Sequence, residues 1–218
     1  MSDSEAQPKA HLPHPTLVEC PQCKQPGFVE AWPHITNTVD KKAMELLLAG
    51  KLFEYTCPVC GTAVAMTYDC MLRDVERGAI LLYSTDRDTE KNIRRLNDLL
   101  EREDCTQGRL TTSTFEFCEK ARLWGEGYDD RAIELMKVAI KRGMLKEGII
   151  GSRDILIYER TMPNGGVSFV VMGEIPGDVV GVPGGYDYCM RFLADAEAQG
   201  KLEGEYRFDA AWANRFLP

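Results

Sequence analysis

Cys20-Pro21-Gln22-Cys23 and Cys57-Pro58-Val59-Cys60-Gly61 decide how the N-terminal part of this 218-residue chain is read. In a Cys-x-x-Cys turn both sulfurs point to one side, and backbone N–H groups near the second cysteine face them. Proline after the first cysteine fixes φ where no donor is needed. Gly61 supplies the positive φ that ends such a knuckle. Two knuckles offer four thiolates, the closed tetrahedral set suited to a structural Zn²⁺. Cys20, Cys23, Cys57 and Cys60 are therefore the predicted ligands, and no catalytic or other cofactor-binding residue is predicted. Iron on the same ligands and a redox pair are the rivals. A redox role would not need two pairs, and neither pair opens a helix of a βαβ pattern.

The 33 residues between Cys23 and Cys57 exceed the compact spacing usual for such pairs. Closure is still affordable to the chain, because loop entropy grows only slowly with length. The excursion can go out and return through a strand-like piece at Phe28–Trp32, a helix over 41–49 opened by Asp40 and stopped by Gly50, and a strand at Leu52–Tyr55. Leu52–Tyr55 and Ala63–Tyr68 read as a hairpin whose turn is the second pair.

The remaining four of eight cysteines, Cys70, Cys105, Cys118 and Cys189, read as structural thiols. The N-terminus lacks the basic and apolar regions of a signal peptide, which points to the cytoplasm and to reduced thiols. A formal charge of −8 argues against binding nucleic acid by neutralising phosphates. No apolar run is long enough for a membrane span.

Three regions follow from composition. Residues 1–16, with Pro8, Pro13 and Pro15, read as a disordered leader; 17–87 as a cysteine-rich module; 88–218 as an α+β body. Ala79–Ser84 is a buried strand. Helices are expected over Thr89–Glu103, from a capping box at Ser113–Glu116 to Trp124, and over Asp130–Lys141 behind Asp129. Asp154–Arg160 and Val167–Gly173 flank Asn164-Gly165, a tight-turn pair whose two residues tolerate positive φ. Helices Tyr186–Gln199 and one capped by Asp209 close the chain. The fold class is α+β.

The two Cys-Pro-x-Cys pairs, Gly50-Lys51-Leu52-Phe53 leading into the second, and Asp129-Asp130-Arg131-Ala132-Ile133-Glu134-Leu135 together resemble the CpXC family, a bacterial and archaeal group named for the paired motif. The likeness covers roughly residues 17–142, and the proline-rich leader departs from it. The resemblance implies a zinc-ribbon-like head on an α+β body and carries over no catalytic residues.

His11 and His14 read as solvated leader residues, and His34 as a loop residue or a partner to a thiolate. The glycine-rich GDVVGVPGGY (177–186) matches no phosphate-binding signature and reads as a connecting turn. The function expected is that of a zinc-binding, non-catalytic protein-interaction or assembly module, with a protein partner and a natural route to homo-oligomers. The alternatives are a nucleic-acid-associated zinc-ribbon regulator and an enzyme with its site in 150–218.

Overall fold

A computed structural model of the chain describes residues 10–173, 177–181 and 183–217. The chain divides into two units, Met1–Ala121 and Arg122–Pro218. Both mix helices and strands, so the α+β expectation holds.

The first unit opens with an antiparallel hairpin, β1 (His14–Glu19) and β2 (Pro26–Ala31). The leader expected over 1–16 is thus strand from His14 onward, while residues 1–9 lie outside the described residues. Prolines do not prevent this, because Pro15 is exposed in a two-stranded ribbon that leaves edge positions free of ladder bonds. After β3 (His34–Thr36) comes α1 (Lys41–Leu48), which buries Ala43 and Leu47; Gly50 follows at φ +70°. A second hairpin, β4 (Glu54–Thr56) and β5 (Ala63–Ala65), pairs Tyr55 with Val64. The second Cys-Pro-x-Cys forms its turn, as the sequence suggested.

Strands β6 (Cys70–Asp74), β7 (Ala79–Tyr83) and, after α2 (Thr89–Arg102), β8 (Gln107–Thr111) complete a sheet ordered β3-β6-β7-β8. Its β3–β6 and β7–β8 pairs are parallel. All five residues of β7 are buried, which explains its unbroken apolar run. On α2, Leu96, Leu99 and Leu100 are buried, and Asp88 caps the helix by accepting from Lys91 N–H at 3.0 Å. Gly108 lets the helix come this close to β8, since a Cβ there would sit 3.0 Å from Leu96 Cδ2.

A boundary expected at 87/88 therefore falls inside this unit. The strand that completes the sheet lies beyond it, joined to β7 by the α2 crossover that a parallel pair requires. Helix α3 (Thr114–Gly125) runs across the actual division.

In the second unit, α4 (Asp130–Lys146), β9 (Ile155–Thr161), β10 (Val167–Met172), β11 (Gly177–Val180), α5 (Gly185–Ala198) and α6 (Ala210–Phe216) follow in order. The sheet is antiparallel, β11-β10-β9, with α4 against β9, α5 and α6. Its core gathers Ile133, Leu135, Tyr158, Phe169, Leu193 and Trp212. At the β9–β10 turn only Gly165 takes a positive φ (+77°), whereas a positive φ was tolerable at both turn residues. Asn164 instead turns its Oδ1 to accept from Gly166 N–H at 3.0 Å, an Asx turn in a longer loop. Helix α4 continues past Lys141 to Lys146. The segment read as a turn over 177–186 begins as strand β11 and ends in the first turn of α5, with residue 182 outside the described residues.

Candidate metal centre

The two hairpins of the first unit present their cysteine pairs in the same way. In the first, Cys20 N–H donates to Gln25 C=O (3.0 Å) and Lys24 N–H to Cys20 C=O (2.9 Å). In the second, Cys57 N–H donates to Thr62 C=O (2.9 Å) and Gly61 N–H to Cys57 C=O (2.9 Å). The equivalent residues Lys24 and Gly61 both have positive φ, 61° and 73°. Glycine adopts that conformation freely, and Lys24 adopts it because the turn requires it.

These knuckles bring all four sulfurs within 4.8 Å of one another. Cys20 Sγ lies 3.6 Å from Cys60 Sγ, and Cys23 Sγ lies 3.6 Å from Cys57 Sγ. An ion bonded tetrahedrally to sulfur at about 2.3 Å separates its ligands by about 3.8 Å, so the spacing fits a metal far better than it fits a disulfide at about 2.05 Å. The four cysteines are free thiols. They would fill every position of a tetrahedral ion and leave none open for substrate. Among the described residues, no other group of three His, Cys, Asp or Glu side chains converges in this way.

The local field already favours thiolates on one knuckle. N–H groups of Cys60 and Val59 lower the Cys57 pKa. The Thr62 hydroxyl, 3.2 Å from Cys60 Sγ, and the Thr62 N–H bring Cys60 down to about 6. At Cys23 the Gln25 N–H pulls the other way, but burial and the three neighbouring sulfurs push the thiol up to about 12. Cys23, Cys57 and Cys60 are close enough to influence one another's protons, so they titrate together rather than singly.

Val18, Cys20, Tyr55 and Cys57 form the small buried core beneath the cluster, with Val29, Val64 and Met66 around it. Tyr55 is 5% exposed, and its hydroxyl, which faces Cys57, makes no hydrogen bond of ordinary geometry. Burial, then the charge of Cys57, raises its pKa. Gly27 on β2 makes the space: a Cβ there would fall on the Tyr55 hydroxyl oxygen. An orphaned donor next to four thiols fits a centre that becomes anionic when a metal binds. Sequence reasoning missed this residue, because a tyrosine two positions before a cysteine gives no sign of where its hydroxyl goes.

Other candidates lie elsewhere. His11 is not simply solvated. Its N–H donates to Asp40 Oδ1 (2.7 Å), and its Nδ1 lies 2.8 Å from Asp40 Oδ2. Asp40, expected to cap α1 with its side chain, makes no such cap; Thr36 N–H takes its Oδ2 instead, at 2.7 Å. The buried carboxylate thus ties the incoming chain to the β3–α1 connection. His34 opens β3 and meets the His11 ring edge-on at 5.9 Å, outside the cysteine group. Burial raises the thiol pKa of Cys70 well above its ordinary value and takes Cys118 and Cys189 to about 11, so these sulfurs stay protonated at neutral pH. Cys70 Sγ is turned toward Trp32 C=O at 3.0 Å.

In 150–218, Tyr158 donates to Glu126 and lies 3.1 Å from Thr161 Oγ1, which Tyr128 OH meets at 2.7 Å. Tyr158 is 1% exposed, and the cluster's polar atoms satisfy one another. An open cleft between α5 and α6 is lined by Phe192, Asp195, Lys201 and Arg215 among others. No described helix is long and apolar enough to cross a membrane.

The model of one protein family, CpXC protein, matches the chain over residues 18–137, more than half of its length. The match begins within β1, contains all four clustered cysteines and the whole β3-β6-β7-β8 sheet, and ends within α4. No curated protein and no solved structure matches the chain.

Proposed function

The chain belongs to the CpXC family, and we propose that it is a zinc-binding protein whose Cys₄ site is structural and whose cysteine hairpins form a zinc-ribbon-like module for protein interaction or assembly. Four converging thiols with sulfurs 3.6 Å apart support the metal, and a full ligand set gives it a structural role. Thiolate ligands and tetrahedral spacing favour zinc, with iron as the metal that elemental analysis must distinguish.

One observation carries the interaction reading. Leu17 and Phe28 are cross-strand partners on the outward face of the first hairpin, 65% and 72% exposed. Pro15 and Pro26 flank them on the same face, and Glu19 and Glu30 rim it. Side chains in a strand alternate between faces, so this apolar set is displayed while Val18 and Val29 turn to the metal side. An aromatic–aliphatic pair held by a rigid turn is a fitting anchor for a partner protein.

The test has two parts on the full chain. Native mass spectrometry with elemental analysis should find one zinc per chain. Proximity labelling in cells, together with sedimentation velocity, should then show that Leu17→Ser/Phe28→Ser loses specific neighbours or self-association while keeping its zinc. A double variant with an unchanged neighbour set and unchanged sedimentation would overturn the interaction role without touching the metal.

A further inference from the structure

We infer that the Tyr55 hydroxyl is the buried hydrogen-bond donor to the metal-bound thiolates, through Cys57, and that Gly27 exists at its position to leave that hydroxyl room. The inference rests on the Cys₄ metal reading and adds to it a residue that positions and tunes the centre.

Four thiolates around a divalent ion carry a net charge of −2, and the hairpins bury two of the sulfurs, Cys20 and Cys57, almost completely. Anionic sulfur in such a place needs donors. The knuckle N–H groups and the Thr62 hydroxyl supply some of them. Tyr55 belongs to the buried core beneath the cluster, and its hydroxyl faces Cys57 without a hydrogen bond of ordinary geometry.

A phenol left without a partner in a protein interior destabilises the fold, because its lost hydration is not replaced. Phenylalanine would fill the same volume and avoid that penalty. Gly27 adds to the disadvantage, since glycine inside a strand gives up side-chain packing and backbone order. Both choices become favourable if the hydroxyl has an acceptor in the metal-loaded protein. A neutral thiol accepts poorly, whereas a thiolate accepts well. The neighbours of a ligand commonly set its orientation and its electron density, and losing one typically weakens metal binding 10- to 100-fold.

Co²⁺ substitution reads this directly, because sulfur-to-cobalt charge-transfer bands report the electron density on the thiolates. In the full chain, Tyr55→Phe should shift those bands to longer wavelength and weaken Zn²⁺ binding, measured against a chromophoric chelator, about tenfold. Gly27→Ala keeps the hydroxyl but drives it from its place, and should shift the bands in the same direction. A role in packing alone would leave the bands where they are, and bands unmoved in Tyr55→Phe with zinc affinity within twofold of the parent would overturn the inference. Wild-type protein that develops no tetrahedral cobalt–thiolate spectrum would instead refute the metal site itself.

Discussion

The cysteine hairpins and the β9–β10–β11 sheet are both small antiparallel structures, but they are held in place by different means. Among the described residues, the core under the hairpins has four buried members, two of them the cysteines Cys20 and Cys57. In the second unit, among the described residues, seventeen hydrophobic residues are buried in one cluster that includes Tyr158, Phe169 and Trp212. Two-stranded ribbons with little apolar cover are marginal in water. The hairpins therefore depend on whatever joins their sulfurs, and the second unit depends on area removed from water. The cysteine region has four converging sulfurs where the second unit has an apolar core, and its outward face displays Leu17 and Phe28.

The strongest way to break this comparison is to remove the metal. Binding of a structural zinc is worth roughly 10–16 kcal/mol in small peptides. Chelation or Cys57→Ser should abolish amide protection over 14–31 and 54–65, while that of 155–161 and 167–172 persists in the same hydrogen-exchange experiment. Equal protection in both places after demonstrated metal loss would end the contrast. The reciprocal variant, Phe169→Ala, should cost about 3–5 kcal/mol in the unfolding of the second unit and leave zinc stoichiometry unchanged. Both transitions can be followed in one calorimetric scan.

Smaller effects sharpen the same contrast. Asp209→Ala removes the acceptor that holds Trp212 N–H at 2.8 Å at the start of α6 and should cost about 1 kcal/mol, read as a lower denaturant midpoint of the second unit alone. In the first unit, burial pushes Asp69 up, but the Thr85 N–H and Arg95 outweigh it and hold the carboxyl below its ordinary value. A carboxyl lowered in the folded state stabilises above its unfolded pKa, and that contribution is lost as the pH falls through the unfolded and then the folded value. Asp69→Asn should therefore lower stability at pH 7 by about 0.5–1 kcal/mol. The difference from wild type should vanish at strongly acidic pH, measured by urea denaturation at pH 7 and again in acid with zinc held constant.

What could be read from the residues was local. The Cys57–Cys60 hairpin, the buried run of β7, the caps Asp129 and Asp209 and the β9–β10 pairing each come from a few neighbouring positions. Long-range pairing was not legible. Strands β6 and β8 are short, and β8 is named as a strand only by its parallel partner across α2. The boundary expected at 87/88 failed for that reason. The His11–Asp40 contact joins residues 29 apart, and proline content gave no hint that β1 would begin at His14. At the site, the four cysteines carry their meaning in their spacing, whereas Tyr55 and Gly27 acquire theirs only when the two hairpins meet.

The β7–α2–β8 crossover has a consequence for how the chain is made. The four-stranded sheet lacks its last strand until Thr111 has left the ribosome, whereas the last cysteine of the metal site is Cys60. The 51 positions from Cys60 to Thr111 take about 3–10 s to synthesise at typical rates. During that interval the hairpins can already close on an ion, while the partner strands of β7 are still incomplete. If the cluster takes up an ion, birth order would give that ion first claim on the cysteines before the four-stranded sheet is complete.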